Sequence, residues 1–162
     1  MIENQEGEFE IVSFNLSERT GIRKKPVDCV RFEEGKGIDG DAHNGILEKR
    51  QVSFLAVEEI EAASAVLHVK LGSDAALASL KPGDFAENLT TRGVVLHELP
   101  IGTKLEIGTA LLEVSQIGKE CHTACEIRKL VGDCAMPRKG IFARVLRAGE
   151  ASHADRGRYR IG

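Results

Sequence analysis

The chain has 162 residues, with 22 basic and 25 acidic side chains, a net charge of −3 and four cysteines. That length is one ordinary domain, able to bury a core without disulfide staples, and a mildly acidic chain with no basic run interleaved with aromatics excludes an electrostatic case for nucleic acid. The opening Met1-Ile2-Glu3-Asn4-Gln5-Glu6-Gly7-Glu8 has neither the basic start nor the apolar run of a secretory signal, and nothing downstream reaches membrane-spanning length, so a cytoplasmic location with reduced thiols is expected.

Short alternating apolar segments separated by glycine turns dominate the chain. Residues 9–16 are predicted as a first strand with Phe9, Ile11 and Phe14 in the core, and residues 26–32 as a second strand that pairs with it after the turn at 21–25. The stretch from Gly35 to Gly45 is too glycine-rich for an element interior and reads as a loop of defined turns. Residues 50–56 are expected as a strand with Val52, Phe54 and Ala56 on one face. Helical spacing follows over 57–67, with Val57, Ile60, Ala63 or Ser64, and Leu67 aligned and with Glu58, Glu59 and Glu61 near the positive dipole end.

A short turn is read at 77–80 and a strand at 85–91. Lys104 to Ile107, the turn Gly108-Thr109 and Ala110 to Ile117 make a hairpin. Residues 121–131 read as helical, and 142–146 with 159–161 as a last strand pair. With at least six short strands, few helices and no internal repeat, the chain is expected to be mainly β: one closed or nearly closed barrel with short helices at its ends, a sandwich being the alternative that spacing alone leaves open.

Three of the four cysteines fall in Gly118-Lys119-Glu120-Cys121-His122-Thr123-Ala124-Cys125 and Cys134-Ala135-Met136-Pro137. Cationic neighbours lower a thiol pKa, so Cys121 between Lys119 and His122 is better placed for reaction than the isolated Cys29. As a metal set, Cys121, His122, Cys125 and Cys134 have the element types for zinc, but Cys-x3-Cys followed by eight residues and one more Cys fits none of the common paired spacings. One reactive thiol with two bystanders is the preferred reading; the plainest is three small thiols packed in a core.

The glycine loop offers Asp39, Asp41, His43 and Asn44, with backbone amides suited to an anion, or else two aspartates that only cap turns. It loosely echoes a calcium loop without the remaining ligands. Arg50 opens a strand and Asn88 and Thr90 close one, so a barrel would gather them at one rim, where the planar fork of an arginine suits phosphate. Pro137-Arg138-Lys139-Gly140 and Arg144 are a further candidate anion patch, while His68, His97 and His153 receive no role.

Gly37-Ile38-Asp39-Gly40-Asp41-Ala42-His43, Arg50-Gln51-Val52-Ser53, Pro82-Gly83-Asp84-Phe85-Ala86-Glu87-Asn88-Leu89-Thr90, Gly102-Thr103-Lys104-Leu105-Glu106-Ile107-Gly108 and the Cys121 segment occur in this order and span the chain from about residue 9 to its end. Together they resemble the MOSC domain, the module named for the C-terminal part of molybdenum-cofactor sulfurases. The resemblance implies a single MOSC-type β-barrel over residues 1–162 whose cysteine, here Cys121, ligates molybdenum or carries sulfur as a persulfide. It implies a molybdenum cofactor (molybdopterin) bound by Arg50, Asn88, Thr90, Lys119 and Arg144, with His43 and His122 beside Cys121. The implied activity is that of a sulfur transferase or a cofactor-dependent oxidoreductase component, including reduction of N-hydroxylated compounds.

The expected partners are a cysteine desulfurase, which alone would supply pyridoxal phosphate (PLP), or a molybdoenzyme or cofactor-biosynthesis protein; neither nucleic acid nor membrane is expected. Beside the larger amidoxime-reducing relatives, the chain is expected to be without their additional N-terminal barrel region, and the resemblance places Cys125 and Cys134 outside the family requirement. A non-catalytic module holding metal on Cys121, His122, Cys125 and Cys134 is the reading from a different class.

Overall fold

In the first strand, Phe9, Ile11 and Phe14 are all buried, although strict alternation would turn Phe14 away from the side that takes Phe9 and Ile11. A register shift between Ile11 and Ser13 resolves the conflict: one extra residue resets the parity, and all three rings and branches enter the core. The computed structural model describes residues 5–20, 22–71, 80–118 and 139–162. In chain order the strands are β1 (Glu6–Leu16), β2 (Lys25–Val27), β3 (Cys29–Glu33), β4 (Gly37–Ile38), β5 (Val52–Ala56), β6 (Leu89–Arg92), β7 (Lys104–Ile107), β8 (Ala110–Ile117), β9 (Ile141–Arg147), β10 (Gly149–Ser152) and β11 (Arg156–Arg160). Helix α1 (Val57–Leu71) follows β5 directly, and 3-10 turns lie at Glu48–Arg50 and Leu96–Glu98.

Seven strands close a barrel in the order β1, β11, β7, β8, β9, β5, β6 and back to β1, with β2 added beside β1. Every pairing in that ring is antiparallel except β5 with β6, whose connection runs through α1. The interior holds Phe9, Phe14, Phe54, Leu89, Leu105, Leu112, Val114 and Ile141 among others, and each large apolar side chain buried there contributes roughly 1.5–3 kcal/mol. A second, smaller cluster of Leu55, Ile60, Phe85 and Phe142 forms where α1 and the loop before β6 cover the outside of β5 and β9. The sheet β10-β3-β4 sits against the β7–β8 turn, where Gly108 at φ +58 lies so close to Glu150 that a Cβ would stand 2.1 Å from its carbonyl oxygen.

The predicted barrel and the β7–β8 hairpin, residue for residue, are present. Helix α1 runs to Leu71 instead of stopping at 67. Three expectations are corrected. The second predicted strand is split at Asp28: β2 pairs with β1, but β3 leaves the barrel to pair with β10 and β4, which also gives Gly37–Ile38 a place in a sheet. The segment 85–91 becomes a strand only at Leu89, because Ala86 has φ +64 and the carboxylate of Glu87 turns back onto the N–H groups of Gly83 and Phe85. The last two strands do not pair with each other: β9 lies between β8 and β5, β11 between β7 and β1, and β10 intervenes. Among the described residues no helix is long and apolar enough to cross a membrane.

Candidate functional site

The loop after β4 delivers Asp41 to a buried position beside Lys24, the residue just before β2. Both side chains are 0% exposed, and Lys24 Nζ donates to Asp41 Oδ1 at 2.7 Å and to Ser17 Oγ at 3.0 Å. Asp41 also accepts the backbone N–H groups of Ser17 and His43. Burial by itself would push its carboxyl up; the hydrogen bonds from His43 and Lys24 and the lysine charge outweigh it and hold Asp41 well below the usual carboxylate range. His43 Nδ1 lies 3.2 Å from Lys24 Nζ. With the ring neutral and the ammonium donating, Nδ1 is the acceptor and the imidazole proton sits on Nε2. The same Nδ1 is 3.4 Å from Asp41 Oδ2, where a doubly protonated ring would donate instead.

A second buried carboxylate, Glu87, stands next to this cage. Its oxygens accept the N–H of Gly83 at 3.0 Å, the N–H of Phe85 at 3.2 Å and the hydroxyl of Thr90 at 2.7 Å. Burial is the dominant influence and pushes its pKa up to about 7 despite those donors. The two carboxylates meet through one peptide: Lys24 N–H donates to Gly83 O at 2.8 Å, and a Cβ on Gly83 would stand 2.1 Å from Lys24 O. Only glycine, here at φ +92, permits that approach.

Asn88 and Thr90 are fully buried in the barrel wall. Asn88 Oδ1 accepts from the N–H and hydroxyl of Ser53, and its Nδ2 donates to Asn15 O. Thr90 Oγ1 accepts from Asn15 Nδ2 and donates to Glu87. These two predicted site residues therefore tie β1, β5 and β6 together.

Arg50 lies elsewhere on the same wall. It is half-buried, with its guanidinium 5.7 Å from the ring centroid of Phe142, and its Nε donates to Gln116 Oε1 at 3.3 Å. Gln116 Nε2 in turn donates to Gly118 O at 2.8 Å, and Gly118 N–H donates to Gly140 O at 2.7 Å. Arg50 is thus joined to both ends of the connection that carries the clustered cysteines. Because Phe142 pairs with Ser53 across β9 and β5, Arg50 and Asn88 flank the same strand pair.

Arg144 projects from the outer face of β9, held by Glu113 at 2.7 Å and by Glu48 at 3.5 Å, while Lys104 shares Glu113. The Lys104 and Arg144 contacts lower the carboxyl of Glu113. Lys119, Cys121, His122, Cys125, Cys134 and the predicted helix at 121–131 lie outside the described residues. Among the described residues no group of three or more His, Cys, Asp or Glu side chains could hold a metal ion.

Sequence reasoning missed Lys24, Ser17, Asn15 and Glu87. Asp41 was in view, and a buried aspartate needs a cation, but nothing local marks Lys24 over Lys25 as that partner.

The MOSC domain family matches residues 39–157 of the chain. Among solved structures, the YuaD protein of Bacillus subtilis is similar, with a TM-score of 0.74 and 17% identity over 97% of this chain and 98% of that one. YiiM of Escherichia coli has a TM-score of 0.67 and 19% identity, covering 94% and 69% of the two chains. YiiM of Geobacillus stearothermophilus has 0.65 and 21%, covering 91% and 72%. At these identities the likeness is one of fold. No curated protein sequence matches the chain.

Proposed function

This chain belongs to the MOSC domain family, and from that premise we propose that it handles the molybdenum cofactor, holding it or carrying sulfur for it as a persulfide on Cys121. The observation that carries the reading is the bridge from Arg50 through Gln116 to Gly118, because it links a half-exposed planar cation to the mouth of the cysteine-bearing connection. The donor set suits the group: arginine matches a phosphorylated, anionic ligand, and a thiolate is a soft ligand for a soft metal centre. Arg50 would bind the anionic ligand, Lys119 and His122 would keep Cys121 as the thiolate, and Asn88 and Thr90 would hold the wall behind it. His43, its proton on Nε2 when Lys24 donates to Nδ1, would serve as a hydrogen-bond donor or proton source. When bound, the cofactor supplies two-electron redox chemistry at molybdenum, the basis of the finer reading as a reductase of N-hydroxylated compounds.

In the carrier role the Cys121 thiolate attacks the outer sulfur of a persulfide on a partner desulfurase. That S–S bond breaks, the partner's thiolate leaves, and a new S–S bond forms on Cys121, so no oxidant is consumed.

The test is native mass spectrometry on protein from its own host, scoring cofactor mass and an adduct of about 32 dalton, one sulfur atom, on a cysteine. Cys121→Ala is expected to abolish both and Cys29→Ala neither; equal retention by the two variants would sink the assignment. Stoichiometric zinc that leaves only on unfolding would replace it with the metal-module reading.

A further inference from the structure

A cleft of about 490 Å³ opens beyond the end of β1, between the β1–β2 turn and Gly40. Among the described residues its charged lining is Arg19, Arg23 and Lys25 against Glu18; with Arg23 paired to Asp84, Arg19 and Lys25 still outnumber Glu18, on a chain whose formal charge is −3. Leu16 and Ile22 supply an apolar wall. Beneath it, Lys24 and Asp41 neutralise each other, so they leave the excess standing.

The cleft is tied to that cage. Ser17 Oγ accepts from Lys24 Nζ and donates to the carbonyl of Arg19 at 2.9 Å, fixing the backbone that presents Arg19. Arg23 is steadied from behind by Asp84 at 4.0 Å. Gly40, at φ +83 with nothing within 4 Å of where a Cβ would be, leaves the opposite edge open. Charge-assisted hydrogen bonds from arginine to phosphate are the strong kind, and a concave cationic site with one apolar wall suits a small organic phosphate.

We infer that this cleft binds a phosphate monoester, clamped by Arg19, Arg23 and Lys25. The phosphate is either the tail of the cofactor, in which case the assignment rests on the reading above, or that of a free phosphorylated metabolite. The direct test is calorimetric titration of the full chain with inorganic phosphate. The double variant Arg19→Glu, Lys25→Glu reverses two charges on exposed side chains and should weaken binding at least about tenfold, the effect of losing one charge-assisted contact, with the thermal transition unchanged. Arg156→Glu, beside Glu8 at the other end of β1 from Leu16, should titrate like the parent.

Undiminished phosphate binding by the double variant, or equal weakening by Arg156→Glu, overturns the proposal. Cys121→Ala should leave the phosphate titration unchanged, which separates this test from the one above. If the double variant loses phosphate and also fails to retain pterin when produced with the cofactor, the occupant is the cofactor tail. If it loses phosphate but retains pterin, the occupant is a free phosphate ester.

Discussion

Asp41 and Glu87 are both buried carboxylates, separated by one peptide contact between Lys24 and Gly83, yet their protons are held in opposite senses. Desolvation pushes both upward. Asp41 accepts from His43 and from the lysine ammonium and ends far below its ordinary range; the donors of Glu87 among the described residues are backbone N–H groups and a hydroxyl, and it ends at about 7. Neutral donors can satisfy the lone pairs of a buried carboxylate without offsetting the cost of its charge, whereas His43 and a lysine cation together invert the balance at Asp41. The neighbourhood therefore combines a fixed ion pair with a group that titrates near neutrality.

The sharpest way to break that contrast is to remove the cation. Lys24→Met should cost about 3–5 kcal/mol at neutral pH in urea unfolding, because it strands Asp41. In the parent, the stability from Asp41 is fully present above its ordinary value of 3.8 and is lost as pH falls below it, since its folded pKa is lowered. Lys24→Met should shrink that acid-limb dependence, His43 and the Ser17 N–H still donating to Asp41, and Lys24→Met with Asp41→Asn should recover much of the loss. A cost under about 1 kcal/mol would mean that the pair is not the buried one described.

Glu87 should show the reverse slope. Its folded pKa is raised from 4.5 to about 7, so its contribution is fully present below 4.5 and is lost as pH rises through 7, a swing of roughly 3 kcal/mol. Glu87→Gln, which keeps an acceptor and cannot ionise, should flatten that limb; an unchanged profile would assign the titration to another group. The peptide that joins the two sites is next in size. Gly83→Ala, at φ +92 and 2.1 Å from Lys24 O, should cost more than about 2 kcal/mol. Gly40→Ala, at φ +83 in open space, should cost about 1 kcal/mol. The smallest effect is expected at Arg144, where Arg144→Ala removes a half-exposed pair with Glu113 and should shift stability by less than about 1 kcal/mol and leave phosphate binding intact.

The parts of this arrangement that were legible in the sequence are those fixed by neighbours in the chain. Alternation on either side of Gly108 located the β7–β8 hairpin residue for residue, and Phe9, Ile11 and Phe14 were identified as core even though the bulge that admits all three was not. What escaped was decided at a distance. Lys24 sits in the turn predicted at 21–25, and only the return of Asp41 and Ser17 to the same spot buries it. Asn88 and Thr90 are predicted to close a strand but stand at the start of β6, and their inward turn depends on Asn15 and Ser53 from other strands. The late start of β6 likewise follows from one carboxylate folding back on its own loop.

The lone parallel contact in the barrel, β5 beside β6, has a topological origin. A ring of seven members cannot alternate up and down all the way round; an odd ring must contain a like-directed pair of neighbours, as an odd ring of opposed magnets must contain one frustrated bond. The polypeptide meets that requirement by sending α1 back along the outside, so that two adjacent strands begin at the same end. In an even, fully alternating barrel one of the two approach segments would have lain at the far end. Instead Arg50 with Gln51 and Glu87 with Asn88 arrive side by side, and the defect in the ring is what concentrates incoming chain, and with it the polar groups of the candidate site, on one stretch of wall.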